Sequence, residues 1–133
     1  SAGDYAEYVM PHVQLIFDGL KHEGVPLIHF GTGTTAILKS MRQAGGDVIG
    51  IDWRIPIDEA WAMVGYDRAV QGNLDPVTLF GPMHEIERRV MDILRRAGGR
   101  PGHIFNLGHG ILPNTPVEHV AATIDLVHKL SAR

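Results

Sequence analysis

His109 is the residue of this sequence whose surroundings are best suited to chemistry. It lies between Gly108 and Gly110, directly after an apolar run. Two flanking glycines let a bulky ligand approach the backbone, and an imidazole titrates near neutral pH, so His109 is a candidate to reach into a cleft. The alternative is a turn histidine that hydrogen-bonds a neighbouring carbonyl group. The spacing alone leaves both interpretations open.

Polar groups also follow other apolar runs. Gly31-Thr32-Gly33-Thr34 is similar to a turn whose backbone N–H groups bind an anion. It has neither the G-x-G-x-x-G spacing nor the lysine of a P-loop, so close packing against a neighbouring strand is the simpler expectation. Asp52 and Asp75 are candidates for an acid/base pair, although Asp75, which precedes Pro76, is more typical of a turn or a helix cap.

The sequence contains eight histidines and no cysteine. His29 lies within one apolar run and His109 ends another, so both are candidates to project toward one cleft. Neither has a second ligand at a metal-binding spacing and there is no H-E-x-x-H motif, so we predict no metal site. The lack of cysteine excludes disulfides, iron–sulfur clusters and thiol nucleophiles within these residues.

The charge balance argues against a nucleic-acid partner. Twelve Lys and Arg against fifteen Asp and Glu give a formal net charge of −3, whereas a nucleic-acid-binding domain is normally basic. No apolar run approaches the ~20 residues of a membrane span, and no signal-peptide pattern is present. We therefore expect neither nucleic acid nor a membrane as partner.

Alternating helix and strand patterns must position these residues. Four apolar runs predict strands that are covered on both faces, as in a parallel sheet: residues 27–30, 48–51, 69–71 and 103–107. Apolar residues at helical spacing predict helices over residues 4–23, 35–44, 58–64, 83–97 and 116–130. This alternation predicts a parallel sheet with right-handed crossovers.

Helix ends and breaks are predicted by single residues. Ser1 or Asp4 is a candidate cap for the first helix, Gly24 is a candidate for its C′ position, and Pro11 predicts a kink or a fresh start. Thr115 and Glu118 have the spacing of a capping box for the last helix. The helix over residues 83–97 carries four arginines among acidic residues, which predicts a solvated face.

Four strands form either a small open sheet or half of an eight-stranded barrel. Each predicted strand runs directly into a polar or glycine-rich segment at its carboxyl end. Barrel enzymes place their sites at that face, so the barrel is favoured. The predicted fold class is α/β, with about four parallel strands and their helices forming half of a (β/α)8 TIM barrel.

Three segments carry a resemblance to a known family. Gly102–Ile111, reading GHIFNLGHGI, and Gln71–Pro76, reading QGNLDP, resemble the C-terminal part of uroporphyrinogen decarboxylase. Val48–Arg54, reading VIGIDWR, resembles a third family segment, and the order and spacing also agree. The resemblance covers essentially all 133 residues. It implies one incomplete domain over residues 1–133, the C-terminal half of the barrel.

The resemblance implies a cofactor-free lyase of haem biosynthesis, usually a cytoplasmic homodimer. Its reaction removes carbon dioxide from the four acetate side chains of uroporphyrinogen III and gives coproporphyrinogen III. Because a protonated pyrrole ring accepts the electron pair, the protein must supply a proton, hold pyrrole N–H groups and neutralise carboxylates, without a metal. His109 matches the family's substrate-contacting histidine in NLGHG.

The resemblance also implies which groups are missing. The family's catalytic aspartate, its paired arginines in an R-Q-A-G-R-type motif and its active-site tyrosine lie in the N-terminal part, and its substrate-binding serine lies shortly before position 1. We therefore expect no catalytic residue here, only the substrate-binding His109, and no decarboxylation by this polypeptide alone. Because the chain opens Ser1-Ala2-Gly3-Asp4 without Met, we expect it to start inside a longer protein.

Two other functions are compatible with a half-barrel. One is a binding or assembly module without activity. The other is a zinc-dependent corrinoid or coenzyme M methyltransferase, which the lack of cysteine disfavours because those relatives bind zinc through His and Cys. A barrel that is cut leaves two unpaired edge strands and an exposed apolar face. We therefore expect self-association through these edges, as a homodimer, or the retention of a cleaved N-terminal partner.

Overall fold

Four parallel strands run side by side in sequence order. The computed structural model describes residues 1–132. Neighbouring strands pair in the order β1-β2-β3-β4, with His29 opposite Ile49 and Val70 opposite His103. The strands are β1 (Ile28–Phe30), β2 (Val48–Gly50), β3 (Ala69–Gln71) and β4 (His103–Ile104). The helices are α1 (Ala2–Asp4), α2 (Met10–Leu20), α3 (Leu38–Ala44), α4 (Ile57–Val64), α5 (Met83–Ala97) and α6 (Val117–Ser131).

One face of this sheet is covered by helices and holds the core. Ile49 and Val70 point to this covered face and are fully buried. The same apolar cluster includes Met41 of α3, Trp61 of α4 and Val90 of α5. Burying these large side chains on folding supplies the main driving force, roughly 1.5–3 kcal/mol for each fully buried large apolar side chain.

The opposite face of the sheet, here called the open face, carries apolar side chains without a cover. Ile28, Phe30 and Ile104 are 47%, 46% and 42% exposed. A parallel sheet normally has both faces covered, and a strand order without reversal differs from that of a doubly wound sheet. The architecture is therefore α/β and consistent with part of a (β/α)8 barrel, which confirms the predicted fold class. The open face corresponds to the barrel interior.

The break predicted at Pro11 takes the form of a π-helical turn. α1 continues through a π-helical segment at Tyr5–Val9 into α2, and Pro11 lies in the first turn of α2. The backbone N–H of Met10 donates to the Tyr5 carbonyl, five residues back. The wider π-helical turn thus lies directly before the turn that contains Pro11, which has no backbone N–H. Ser1 caps the start as predicted, because its hydroxyl accepts from the Asp4 N–H at 3.1 Å.

Three predicted ends differ from the structure. The prediction of a C′ role for Gly24 was wrong, because α2 ends at Leu20. The capping box was also wrong: α6 begins after Pro116, and the Thr115 hydroxyl instead donates to the Leu112 carbonyl at 2.7 Å. This local turn uses the hydroxyl that a cap would need. The strand predicted to reach residue 107 is regular only to Ile104.

The pairing of β3 with β4 nevertheless continues past the regular strand. The Leu74 N–H donates to the Asn106 carbonyl at 3.0 Å, and the Gly108 N–H donates to the Leu74 carbonyl at 2.7 Å. The two loops that follow β3 and β4 are therefore tied together as far as Gly108. This extension fixes the position of the residue that follows it, His109.

The exposed face of α5 is a row of ion pairs, as predicted. Arg88 and Arg89 bond the Glu85 carboxylate and lower its pKa to about 2. Their neighbours further along the helix, Arg95 and Arg96, bond Asp92. Within residues 1–132, no helix is long and apolar enough to cross a membrane.

Candidate functional site

An open cavity lies at the carboxyl edge of the open face, beside the loop after β4. Its volume is about 420 Å³, within the range of small-molecule sites. Its lining comes from the ends of β1 and β3 and from the loop after β4. The lining residues are Phe30, Gln71, Asn106, Leu107, His109, Gly110 and Ile111.

His109 lies at the rim of this cavity with its imidazole exposed. The ring stands edge-on to the Trp53 ring, with centroids 5.8 Å apart and an interplanar angle of 86°. Its Nδ1 lies 3.4 Å from the carbonyl oxygen of Gly110, which is a long hydrogen bond. Both sequence interpretations therefore hold in part: the ring contacts a neighbouring carbonyl, and it also faces the cavity.

The two glycines beside His109 have different roles. A Cβ on Gly108 would lie 2.5 Å from the backbone nitrogen of Trp53. Only glycine allows the loop after β4 to pack this closely on the loop after β2. A Cβ on Gly110 would have no atom within 4 Å. The first glycine is thus required by packing, and the second leaves open space beside the imidazole.

Asp52 is a structural anchor, so the alternative of an acid/base pair with Asp75 is not supported. Its side chain is 1% exposed, and its carboxylate accepts from the Gly33 N–H, from the Arg54 N–H at 3.0 Å and from Arg54 Nη1 at 2.8 Å. The turn over residues 31–34 therefore binds this carboxylate of the neighbouring strand end. Close packing of the loop, the simpler expectation, is confirmed.

Asp75 has the capping role that the sequence predicted. Its carboxylate accepts from the Val77 N–H at 3.0 Å and caps the 3₁₀ helix Pro76–Phe80. Pro76 occupies the first turn of that helix, where a missing N–H does no harm. Asp75 therefore caps a short helix beside the site.

Asn73 joins two loops, a role that sequence reasoning missed. The side chain is buried, and its Nδ2 donates to the Asp52 carbonyl at 2.9 Å and to the Ile55 carbonyl at 2.7 Å. One amide thereby ties the β3 loop to the loop after β2 and satisfies two buried acceptors. An asparagine that follows a strand and a glycine and precedes a buried leucine was the available signal.

His29 and His103 point to the covered face, away from His109. His29 Nδ1 lies 3.1 Å from the Met41 carbonyl and 3.3 Å from the Gly45 carbonyl, both at α3. The prediction that His29 and His109 share a cleft was therefore wrong, because the side chain of β1's central residue faces the helices. Burial lowers the pKa of His103, whose Nε2 lies 2.9 Å from the Gly72 carbonyl.

Trp53 is contacted by both a guanidinium group and the imidazole. The Arg54 guanidinium stacks over the Trp53 ring at 4.0 Å, and His109 contacts the same ring. Among residues 1–132, no three His, Asp or Glu side chains are grouped so that they could hold a metal ion. An apolar floor with an imidazole at its rim suits a ligand with an apolar body and an acidic periphery.

Comparison with known proteins gives consistent matches. A family model described as Uroporphyrinogen decarboxylase (URO-D) matches residues 1–130. The chain is 61% identical over 130 residues to the uroporphyrinogen decarboxylase of Sorangium cellulosum, covering 98% of this chain and 37% of that protein. It is 54% identical over 132 residues to that of Carboxydothermus hydrogenoformans, covering 99% and 38%. The chain thus spans somewhat over a third of the length of these curated relatives.

Proposed function

The chain belongs to the uroporphyrinogen decarboxylase family, and from that premise we propose that residues 1–133 form the last βα units of an enzyme that decarboxylates uroporphyrinogen III to coproporphyrinogen III. The observation that carries the proposal is the cavity on the open face with His109 at its rim. In this proposal residues 1–133 belong to one barrel domain that a longer polypeptide completes.

The chemistry requires an electron sink in the substrate. A proton adds to the ring carbon next to the one that bears the acetate, and the pyrrole becomes cationic. The bond between the acetate methylene and its carboxylate then breaks, its electron pair moves into the ring, and carbon dioxide leaves. A proton added to the resulting exocyclic methylene makes the methyl group, and loss of the first proton restores the pyrrole. Each acetate therefore consumes one proton net.

His109 has the role of a carboxylate contact in this scheme. Its Nδ1 faces the Gly110 carbonyl, so Nε2 is the nitrogen left for a ligand. A protonated imidazole donates a charge-assisted hydrogen bond to a carboxylate, which is stronger than a bond between neutral groups. The Trp53 ring packs against the imidazole.

The proposal includes inactivity of residues 1–133 alone. The family's acidic and arginine motifs fall outside these residues, and the cavity is open along the uncovered face of the sheet. It also includes self-association through the edges of β1 and β4, a homodimer and a cytoplasmic location. Self-association is supported by the exposed apolar side chains of Ile28, Phe30 and Ile104. The homodimer and the cytoplasmic location are supported by the family resemblance.

Anaerobic turnover of uroporphyrinogen III tests this function. We expect coproporphyrinogen III from the complete polypeptide that carries this sequence and none from residues 1–133. In the complete polypeptide, His109→Ala lowers kcat/KM about 10- to 100-fold, the effect of one charged hydrogen bond. His84→Gln, at an exposed histidine at the start of α5, is the matched control and leaves turnover unchanged. Turnover by residues 1–133 alone, or an unimpaired His109→Ala enzyme, contradicts the proposal.

A further inference from the structure

Gln71 is a polar residue on an otherwise apolar floor. It ends β3 opposite Gly50 of β2 and Ile104 of β4, and Phe30 ends the same row on β1. Residues in register on parallel strands point to the same face, so Gln71 faces the open side. Among the strand residues described, the other side chains on that face are apolar. Barrel interiors are normally filled by branched apolar side chains, so the glutamine requires an explanation.

Folding does not use this carboxamide. Within residues 1–132, the Gln71 side chain makes no hydrogen bond, although it is half-buried and lines the same cavity as His109. Asn73, two residues further on, uses its amide to bond two carbonyl groups of the neighbouring loop. The polar atoms of Gln71 are not fully buried, so water can bond them in the free protein. Its hydrogen-bonding capacity is therefore available to a ligand.

Gly50 keeps the floor beside Gln71 free of a side chain. A Cβ at Gly50 would lie 2.8 Å from the Phe30 ring, so this ring lies across the glycine. Gln71 is thus flanked by an aromatic ring across Gly50 on one side and by Ile104 on the other. This row forms a flat, apolar platform with one carboxamide in it, which matches the face of a macrocycle.

We propose that Gln71 is a substrate-positioning residue whose Oε1 accepts a hydrogen bond from a pyrrole N–H. The inference rests on the proposed function and names a further contact of the same site. The ring N–H groups are neutral donors at the centre of the macrocycle, whereas its carboxylates lie at the periphery. His109 stands on the loop above the floor, where a peripheral carboxylate can reach its imidazole. Within the described residues the floor carries no cationic group, so a carboxylate placed there would lose its hydration without a countercharge, whereas a pyrrole N–H needs only a neutral acceptor.

Two substitutions of nearly equal size test this contact in the complete polypeptide. Gln71→Met keeps the volume but removes the acceptor, and Gln71→Glu keeps an acceptor oxygen. For Gln71→Met we expect KM for uroporphyrinogen III to rise about tenfold, with kcat less affected and the melting temperature unchanged. For Gln71→Glu we expect a smaller rise than for Gln71→Met. Gln43→Met, at an exposed position of α3, is the control and leaves KM unchanged.

The outcomes separate this inference from the function on which it rests. An active wild-type enzyme whose KM is the same in Gln71→Met overturns the positioning role alone. A Gln71→Glu enzyme that binds more weakly than Gln71→Met also overturns it, because a carboxylate of the substrate would then lie at this position. A wild-type enzyme without turnover of uroporphyrinogen III overturns both proposals.

Discussion

Several polar side chains at the carboxyl ends of the strands hold loops together and leave only a few groups for a ligand. Asp52 and Asn73 are buried, and each bonds backbone groups of neighbouring loops. His109 and Gln71 have polar atoms that face the cavity. The distinction matters for mutagenesis. Replacing Asp52 or Asn73 disturbs the packing of the loops, whereas replacing His109 or Gln71 removes a contact to the ligand.

The glycines beside His109 give a prediction with a built-in control. Gly108→Ala forces a methyl group against the Trp53 backbone nitrogen and destabilises the chain by about 1–3 kcal/mol. Gly110→Ala meets no atom within 4 Å and leaves the free energy of unfolding within about 0.5 kcal/mol. Urea denaturation of both variants measures the difference. Equal stability of the two variants would show that the loops after β2 and β4 do not pack this closely.

His103 predicts a pH dependence of stability. Burial lowers its pKa in the folded state below the ordinary value of 6.5. Below pH 6.5 the unfolded chain therefore binds a proton that the folded chain does not, so stability falls as the pH drops from 6.5 toward the folded pKa. Well above pH 6.5 this residue adds no pH dependence, because its imidazole is neutral in both states.

Replacing His103 isolates its contribution. The substitution His103→Gln introduces an amide that can donate to the Gly72 carbonyl and does not titrate. We expect the melting temperature of this variant to fall less than that of the wild type between about pH 7.5 and about pH 5.5. The same fall in both proteins would assign the pH dependence to other groups.

At the scale of elements, the sheet has one covered and one open face, and this asymmetry controls the effect of a substitution. Ile49→Ala removes a fully buried side chain and lowers the free energy of unfolding by about 2–5 kcal/mol. Ile28→Ala, on the neighbouring strand but on the open face, costs less than about 1 kcal/mol in residues 1–133. Chemical denaturation measures the free energy of unfolding of both variants. A similar decrease for Ile49→Ala and Ile28→Ala would mean that the open face is covered.

The elements themselves were largely predictable from the sequence. α5 has the predicted bounds and β3 the predicted run, because their apolar spacing and flanking glycines are local signals. The π-helical turn before Pro11 was not predicted, since a kink and a widened turn both accommodate the missing N–H. The direction of His29 was missed as well, because a short apolar strand without alternation does not show which face each residue takes.

At the scale of the whole molecule, four βα units in sequence order form a sheet whose apolar inner face has no cover. The family resemblance identified this architecture from three motifs, and the structure adds what those motifs do. QGNLDP ties the β2 and β3 loops together through Asn73 and starts a 3₁₀ helix through Asp75. NLGHG packs through Gly108 and presents His109. Sequence spacing predicted the cap at Asp75, but it could not show the contacts of Asn73 and Gly108, because these join segments that are far apart in the chain.

The nitrogen signals of the histidine side chains test the central claim, that the open face at His109 is the substrate site. Anaerobic titration of the complete, ¹⁵N-labelled polypeptide with coproporphyrinogen III, with signals assigned by substitution, compares the two faces of the sheet. We predict that the His109 ring signals shift, whereas those of His29 and His103, which face the helices, do not. Shifts at His29 and His103 with an unchanged His109 would contradict the account.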